Sequence, residues 1–198
     1  MPVHILPGQS DPSGIILPQQ AFPHAMFGDA ARYSSFSSET NPTYLTLSTE
    51  SSSKKTPIKR TCLINSGQPL NDIFKYLPTP PHTRLSILES TLRWRHMAPT
   101  APDTLWCHPY RDDDPFMIRR TPDIYIVGGQ MQFGTRLVTD RGEATEQDRR
   151  VPTPMCRVIL VPSFALTGIL VLVNLRTLAV KRINFVLHGR RASIGPGN

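Results

Sequence analysis

The chain has 198 residues, 39% of them hydrophobic, with 20 prolines and a formal net charge of +7 at neutral pH. One domain's length with so low an apolar share fits a loop-rich part of a domain better than an independent, thick core. Pro2, Pro7 and Asp11 interrupt any secretory leader, and Cys62, Cys107 and Cys156 are odd in number and widely spaced, which argues for three reduced thiols over a disulfide framework.

Taken in order, Val3-His4-Ile5-Leu6 reads as a short core strand that ends in the turn Pro7-Gly8-Gln9-Ser10-Asp11-Pro12. Met1 stands directly against that strand, which suggests a fragment or a misplaced start. Asp11 suits the Pro-flanked turn as a cap on backbone amides. His24 to Tyr33 has room for a short helix. Residues 46–60, centred on Ser51-Ser52-Ser53-Lys54-Lys55, are polar and bury little, so a surface loop is predicted there. Leu70, Ile73, Phe74 and Leu77 recur at helical spacing after Pro69. A firmer helix is predicted from Thr83 to about Met97, with Leu85, Leu88 and Leu92 on one face, Trp94 and Arg95 beside it, a basic exposed face, and Pro99 as its stop.

Prolines at 99, 102 and 109 favour an extended, ordered loop from Ala98 to Phe116, because they lower the entropy lost on fixing it. Tyr125-Ile126-Val127 is a strand that runs into the turn Gly128-Gly129-Gln130-Met131. Residues 139–154 form a second loop, dense in Asp, Glu and Arg. Val158 to Val161 and Ile169 to Val173 are short β-branched runs predicted to pair as a hairpin. Pro162, Ser163, Thr167 and Gly168 break this stretch, which falls short of the roughly 20 residues of a membrane helix. Residues 189–198 read as a disordered tail, and no internal repeat is visible.

Chemistry is decided at the two turns. A two-metal phosphoesterase gathers imidazoles, carboxylates and an amide from several strand ends, to hold cations about 4 Å apart. Its usual Gly-Asn-His-Asp/Glu is here Gly8-Gln9-Ser10-Asp11, and the second turn offers Gly128, Gly129, Gln130 and Met131 where imidazoles are needed. Asp11 is the one strong ligand left. These eight residues are therefore candidate degenerate phosphoesterase positions, with no catalytic residue, metal ligand or cofactor assigned.

Other constellations are weaker. His96, Asp103, Cys107, His108 and Asp112-Asp113-Asp114 include ligand types but no zinc spacing, and Asp103-Thr104 reads equally as a turn or cap. Ser10 and Ser163 lie outside Gly-x-Ser-x-Gly, and Gly128 to Gly134 lacks the Lys and Ser/Thr of a P-loop. The positive charge raises nucleic-acid binding. Arg93, Arg95, Arg119, Arg120, Arg136, Arg149, Arg150, Lys181, Arg182, Arg190 and Arg191 are nevertheless spread out, with no alternating aromatics to make a stacking platform, so solvated faces are the better account. Lys54-Lys55 with Lys59-Arg60 resembles a nuclear-import patch.

Several runs carry a family resemblance: Pro7 to Pro12 with Leu17-Pro18-Gln19-Gln20 and Pro23 to Phe27; Ser66-Gly67-Gln68-Pro69-Leu70-Asn71-Asp72-Ile73-Phe74-Lys75-Tyr76; Val161 to Phe164; and Val173 to Leu178. The most specific is Ala98-Pro99-Thr100-Ala101-Pro102-Asp103-Thr104-Leu105, followed by Cys107-His108-Pro109-Tyr110 and Asp114-Pro115-Phe116. Together they resemble the B-subunit family of the replicative DNA polymerases, and its delta branch in particular, over most of residues 1–188. Residues 44–60 depart from it. The resemblance implies an α/β protein with a partial calcineurin-like phosphoesterase fold, a β-sandwich flanked by helices, catalytically inactive. Residues 1–188 would be the C-terminal half of that domain, with the N-terminal OB-fold and the first half of the phosphoesterase domain absent.

It further implies a nuclear, non-catalytic scaffold that docks the C-terminal domain of the catalytic subunit of DNA polymerase delta and a further accessory subunit, reaching DNA through the complex and touching no membrane. The alternatives are a metal-dependent phosphodiesterase or nuclease completed by ligands from a missing N-terminal half, and a direct DNA-binding module. A half-domain with unpaired strand edges is expected to be marginal or to associate.

Overall fold

In the computed structural model, which describes residues 1–49, 57–139 and 155–185, the strands are β1 (Val3–Ile5), β2 (Phe36–Ser38), β3 (Thr43–Ser48), β4 (Lys59–Asn65), β5 (Ile124–Gln130), β6 (Gly134–Thr139), β7 (Met155–Pro162), β8 (Ile169–Val173) and β9 (Val180–Asn184). The helices are α1 (Gln68–Ile73), α2 (Arg84–Trp94) and the single turn α3 (Phe164–Thr167), with a 3₁₀ segment over His24–Arg32. The expected α/β class is what is observed.

Three runs with apolar residues at consecutive positions make the centre. β4, β5 and β7 are parallel, and β3 and β6 flank them antiparallel, in the order β3-β4-β5-β7-β6. Strands buried on both faces need no polar alternation, so these sequences read as continuous apolar runs. Alternation divides them between two layers. Leu63, Tyr125, Val127, Val158 and Leu160 face α1 and α2, packing with Leu70, Ile73, Leu88 and Leu92. Cys62, Ile124 and Ile159 face the other way, with Leu178, Val171, Val173 and Val180 from the β8–β9 layer. Each such aliphatic side chain contributes about 1.5–3 kcal/mol on burial, so the central strands anchor both layers.

Five expectations need correction. Val158–Val161 and Ile169–Val173 do not form a hairpin: β7 sits between β5 and β6, while β8 pairs with β9 in a separate sheet on the opposite face. The intervening turn carries the chain from one layer to the next. Val3–Ile5 is no core strand either. It pairs in parallel with β2 as a two-stranded ribbon, and Val3 is exposed. Three residues cannot bury a face when the apolar sheet is built elsewhere.

The predicted loop 46–60 loses both ends to structure. Thr46–Ser48 complete β3 and Lys59–Arg60 open β4, with Leu45 and Leu47 turned toward the β8–β9 layer. Thr139 likewise ends β6. The serine-rich centre (50–56), most of the second loop (140–154) and the tail (189–198) lie outside the described residues.

Helix α2 begins where expected, on a reciprocal cap: Thr83 Oγ1 accepts from Ser86 N at 3.1 Å, and Ser86 Oγ accepts from Thr83 N at 3.0 Å. It ends at Trp94, ahead of Met97. Arg95 takes a left-handed conformation, φ 58°, which turns the chain so that Met97 N donates to Phe116 O and Ile118 N to Arg95 O. Met97 and Ala98 thereby become core residues, 1% and 0% exposed. Tertiary pairing stops this helix before Pro99 can.

Candidate functional site at the carboxyl ends of the parallel strands

Parallel strands deliver their loops to one edge of a sheet, where ligands of open α/β proteins usually bind. Here β4 leads into Ser66-Gly67, and β5 into the second candidate turn. That turn is a bulge within the strand: β5 continues to Gln130, with one extra residue between the pairs Val127–Leu160 and Gln130–Pro162, and Gly129 at φ +61°. The glycines re-aim the strand, and Gln130 points inward, 3% exposed, while Met131 points to solvent.

Both candidate corners converge on Ser66–Gly67. Gly67 has φ +104°, and a Cβ there would lie 2.3 Å from Gly128 O and 2.7 Å from Gln130 Nε2, so no side chain fits where the two strand ends meet. On the other side Gly8 approaches Ser66, and Asp11 Oδ2 accepts from Gly8 N at 2.7 Å. Asp11 therefore caps its own turn as its position suggested; Gln9 and Ser10 are exposed.

Between the corners lies a network invisible to local sequence reasoning. Asn41, fully buried, donates through Nδ2 to Gln19 Oε1 and Ser66 Oγ, each at 2.6 Å, and accepts from Ser66 N at 3.1 Å. Gln68 Nε2 donates to Gln19 Oε1 at 3.0 Å, and Gln19 Nε2 donates to Gly8 O at 3.1 Å and Gly14 O at 2.9 Å. Gln19 and Gln68 lay in runs that carried the resemblance; Asn41 had no signal. Arg84, from the first turn of α2, donates to Gln130 Oε1 at 2.9 Å and Asn71 Oδ1 at 2.6 Å, and stacks on Phe74. Burial presses its pKa below the usual arginine value, yet a guanidinium stays charged near neutrality.

A pair of divalent cations needs anionic oxygens and imidazoles that keep open lone pairs. These residues do not fit. The network consists of carboxamides and one hydroxyl bonded to one another, Asp11 already caps its own turn, and Arg84 adds a positive charge. Among the described residues no three His, Cys, Asp or Glu side chains converge to hold a metal. His96 and Asp114 form a pair at 2.8 Å, without the other ligand types that neighbour them in sequence.

The signature loop, residues 99–105 of the most specific resembling run, clasps α1. Thr100 and Thr104 hydroxyls donate to Asp72 Oδ2 at 2.5 and 2.6 Å, and Lys75 pairs with the same carboxylate. Tyr76 OH donates to Asp103 Oδ2 at 3.0 Å. Leu105 is 9% exposed and Ala98 is buried, whereas Pro99, Pro102 and Asp103 face solvent and Ala101 is half-buried. Burial acts to raise the Asp72 pKa, but hydrogen bonds from Lys75, Thr100 and Thr104, with the Lys75 charge, bring it below the usual carboxylate value. Beside this clasp a cleft of about 410 Å³ opens between Gln9, Ile15, Gln68, Asn71 and Trp106. Cys62 and Cys156 are buried and unpaired, their pKa values raised by burial and then by Asp123 to about 11 and about 12, so both thiols are inert at neutral pH.

Fold and strand-end geometry describe an α/β protein whose ligand-binding edge is filled by its own amides. The family model of the DNA polymerase alpha/epsilon B-subunit matches residues 1–135, and the chain belongs to that family. Among curated relatives it is 36% identical to the DNA polymerase delta small subunit of Oryza sativa subsp. japonica over 93% of this chain and 38% of the relative. It is 37% identical to DNA polymerase delta subunit 2 of Drosophila melanogaster, again over 93% and 38%. With the DNA polymerase delta small subunit of Saccharomyces cerevisiae it shares 35% identity over 91% of this chain and 39% of the relative. The chain thus spans about two fifths of the length of the relatives it matches.

Proposed function

We propose that this chain is part of a non-catalytic accessory subunit of a replicative DNA polymerase of the delta type, acting in DNA replication by contact. Its framework is the C-terminal half of a calcineurin-like phosphoesterase domain, over residues 1–188, whose metal centre has been replaced by a structural amide network. The observation that carries this reading is the Gln19–Asn41–Ser66–Gln68 network, closed on itself between the two corners where a phosphoesterase would hold its cations. The names borne by the similar proteins support a place in a polymerase complex. The partners are the C-terminal domain of the polymerase catalytic subunit and a further accessory subunit, and the compartment is the nucleus. A rigid sheet with long loops suits such docking, because the loops carry recognition while the sheet fixes their geometry.

Co-expression tests it. The protein is expected to co-purify with the catalytic subunit through several columns and to release no product from a phosphodiester substrate when manganese is titrated in. Solubility without co-purification defeats the scaffold. Manganese-dependent cleavage abolished by Asp11→Ala, with the fold intact, would establish the phosphodiesterase instead.

A further inference from the structure

At the end of α2 remote from the amide network, about 16 Å along the helix axis, the fold gathers arginines that are scattered in sequence. Arg93, Trp94 and Arg95 close the helix, and all three are exposed, Trp94 at 54%. The left-handed turn at Arg95 sets residues 95–97 antiparallel to 116–118, which brings the exposed Arg119 and Arg120 alongside. Arg95 Nη1 donates to Thr121 Oγ1 at 2.8 Å, pinning the two segments together. On the helix flank Arg93 and Arg136 share Glu89, at 2.6 and 2.8 Å, so β6 joins the same surface.

Among the described residues the ion pairs of these five guanidinium groups engage Glu89 and Asp113; with Asp112 and Asp114 beside Arg119, five arginines still outnumber four carboxylates around an exposed tryptophan. Arginines that neutralise phosphates, beside an exposed aromatic face on which a base can stack, are the two parts of a single-strand binding surface. In the sequence only Arg93-Trp94-Arg95 hints at this surface, since Arg119, Arg120 and Arg136 lie 24 or more residues beyond Arg95. Duplex DNA suits the patch less, because a stacked base has no free face to offer Trp94.

We propose that the surface formed by Arg93, Trp94, Arg95, Arg119, Arg120 and Arg136 binds single-stranded nucleic acid, with a base stacked on Trp94 and adjacent phosphates on the arginines. This does not rest on the scaffold reading, since it uses no residue of the strand-end site and requires no polymerase partner.

The test is titration of the purified chain against a fluorescein-labelled oligothymidylate of about 20 nucleotides, read by anisotropy. Binding is expected to weaken steeply between about 50 and 200 mM salt, and the variant Arg93→Ala/Arg95→Ala/Arg120→Ala to weaken it about tenfold or more and flatten the salt slope by about 2. Trp94→Ala is expected to weaken it about fivefold or more, Trp94→Phe to keep most of it, and Lys181→Ala/Arg182→Ala on β9 to leave it within about twofold. In a Trp106→Phe background, Trp94 fluorescence is expected to be quenched on binding. All these positions are exposed, and circular dichroism verifies each variant's fold. Absence of binding overturns the proposal. So does equal affinity for duplex or heparin without a Trp94 effect, which would reduce the patch to non-specific attraction.

Discussion

At Asp72 a buried carboxylate accepts from two threonines and pairs with a lysine, and these donors come either from the loop Pro99–Leu105 or from the turn just after α1. Its folded pKa lies below the value of an unfolded aspartate, about 3.9, so its contribution is fully present above that value and is lost as pH falls through the folded value. The Asp114 and Asp123 pKa values are depressed in the same direction: burial opposes it, and hydrogen bonds from His96 and Phe116 N, or from Thr61 and Arg60, outweigh it. Thermal melts are therefore expected to fall in midpoint below about pH 4, with Asp72→Asn flattening part of that acid limb. Asp72→Ala, which leaves two threonine hydroxyls facing the gap, is expected to cost about 2–3 kcal/mol at pH 7 in a urea titration. A loss within experimental error at neutral pH would mean that the loop is held by its apolar contacts alone.

Between elements, the meeting of β4 and β5 depends on one glycine. Gly67 combines a left-handed backbone with a missing Cβ that would otherwise collide with Gly128 O, whereas a Cβ on Gly128 would have its nearest neighbour at 3.6 Å. Gly67→Ala is accordingly expected to cost about 3 kcal/mol or more, and Gly128→Ala less than about 1 kcal/mol, in the same unfolding assay. Equal costs would show that the strand ends separate easily. The layer on the opposite face is fastened by Arg60, which reaches Leu175 O at 2.9 Å and Asp123 Oδ1 at 2.7 Å, so β4 is tied by side chains to both its parallel neighbour and the β8–β9 layer.

For the whole molecule, no further strand pairs with the sheet edges among the described residues, and the outer layer is apolar. β3 and β6 are edge strands of the five-stranded sheet, and Leu166, Phe164, Phe185, Leu170 and Leu172 lie exposed around β8. Edges and patches of this kind promote pairing between chains. The isolated protein is expected to sediment as concentration-dependent oligomers at micromolar levels, and Leu170→Lys/Leu172→Lys to raise the monomer fraction. A sharp two-state melt of a strictly monomeric parent chain would contradict this expectation.

The sequence by itself determined two of the three central strands, because Tyr125–Val127 in β5 and Val158–Val161 in β7 are apolar at consecutive positions, whereas β4, which opens inside the predicted polar loop, was not legible there. It also determined the start of α2 at Thr83, and the poverty of metal ligands at Gly8–Asp11 and Gly128–Met131, since residue type alone limits which cation can be held. Only the tertiary structure decided that β7 and β8 separate into different layers, that Arg95 ends α2, that Asn41 joins Gln19, Ser66 and Gln68, and that Arg84 meets Gln130. In each case the partners stand many residues apart, Gln19 and Gln68 by 49. Hydrogen bonds and packing over such separations leave no local periodicity, and they exist only once the sheet has brought the strand ends together.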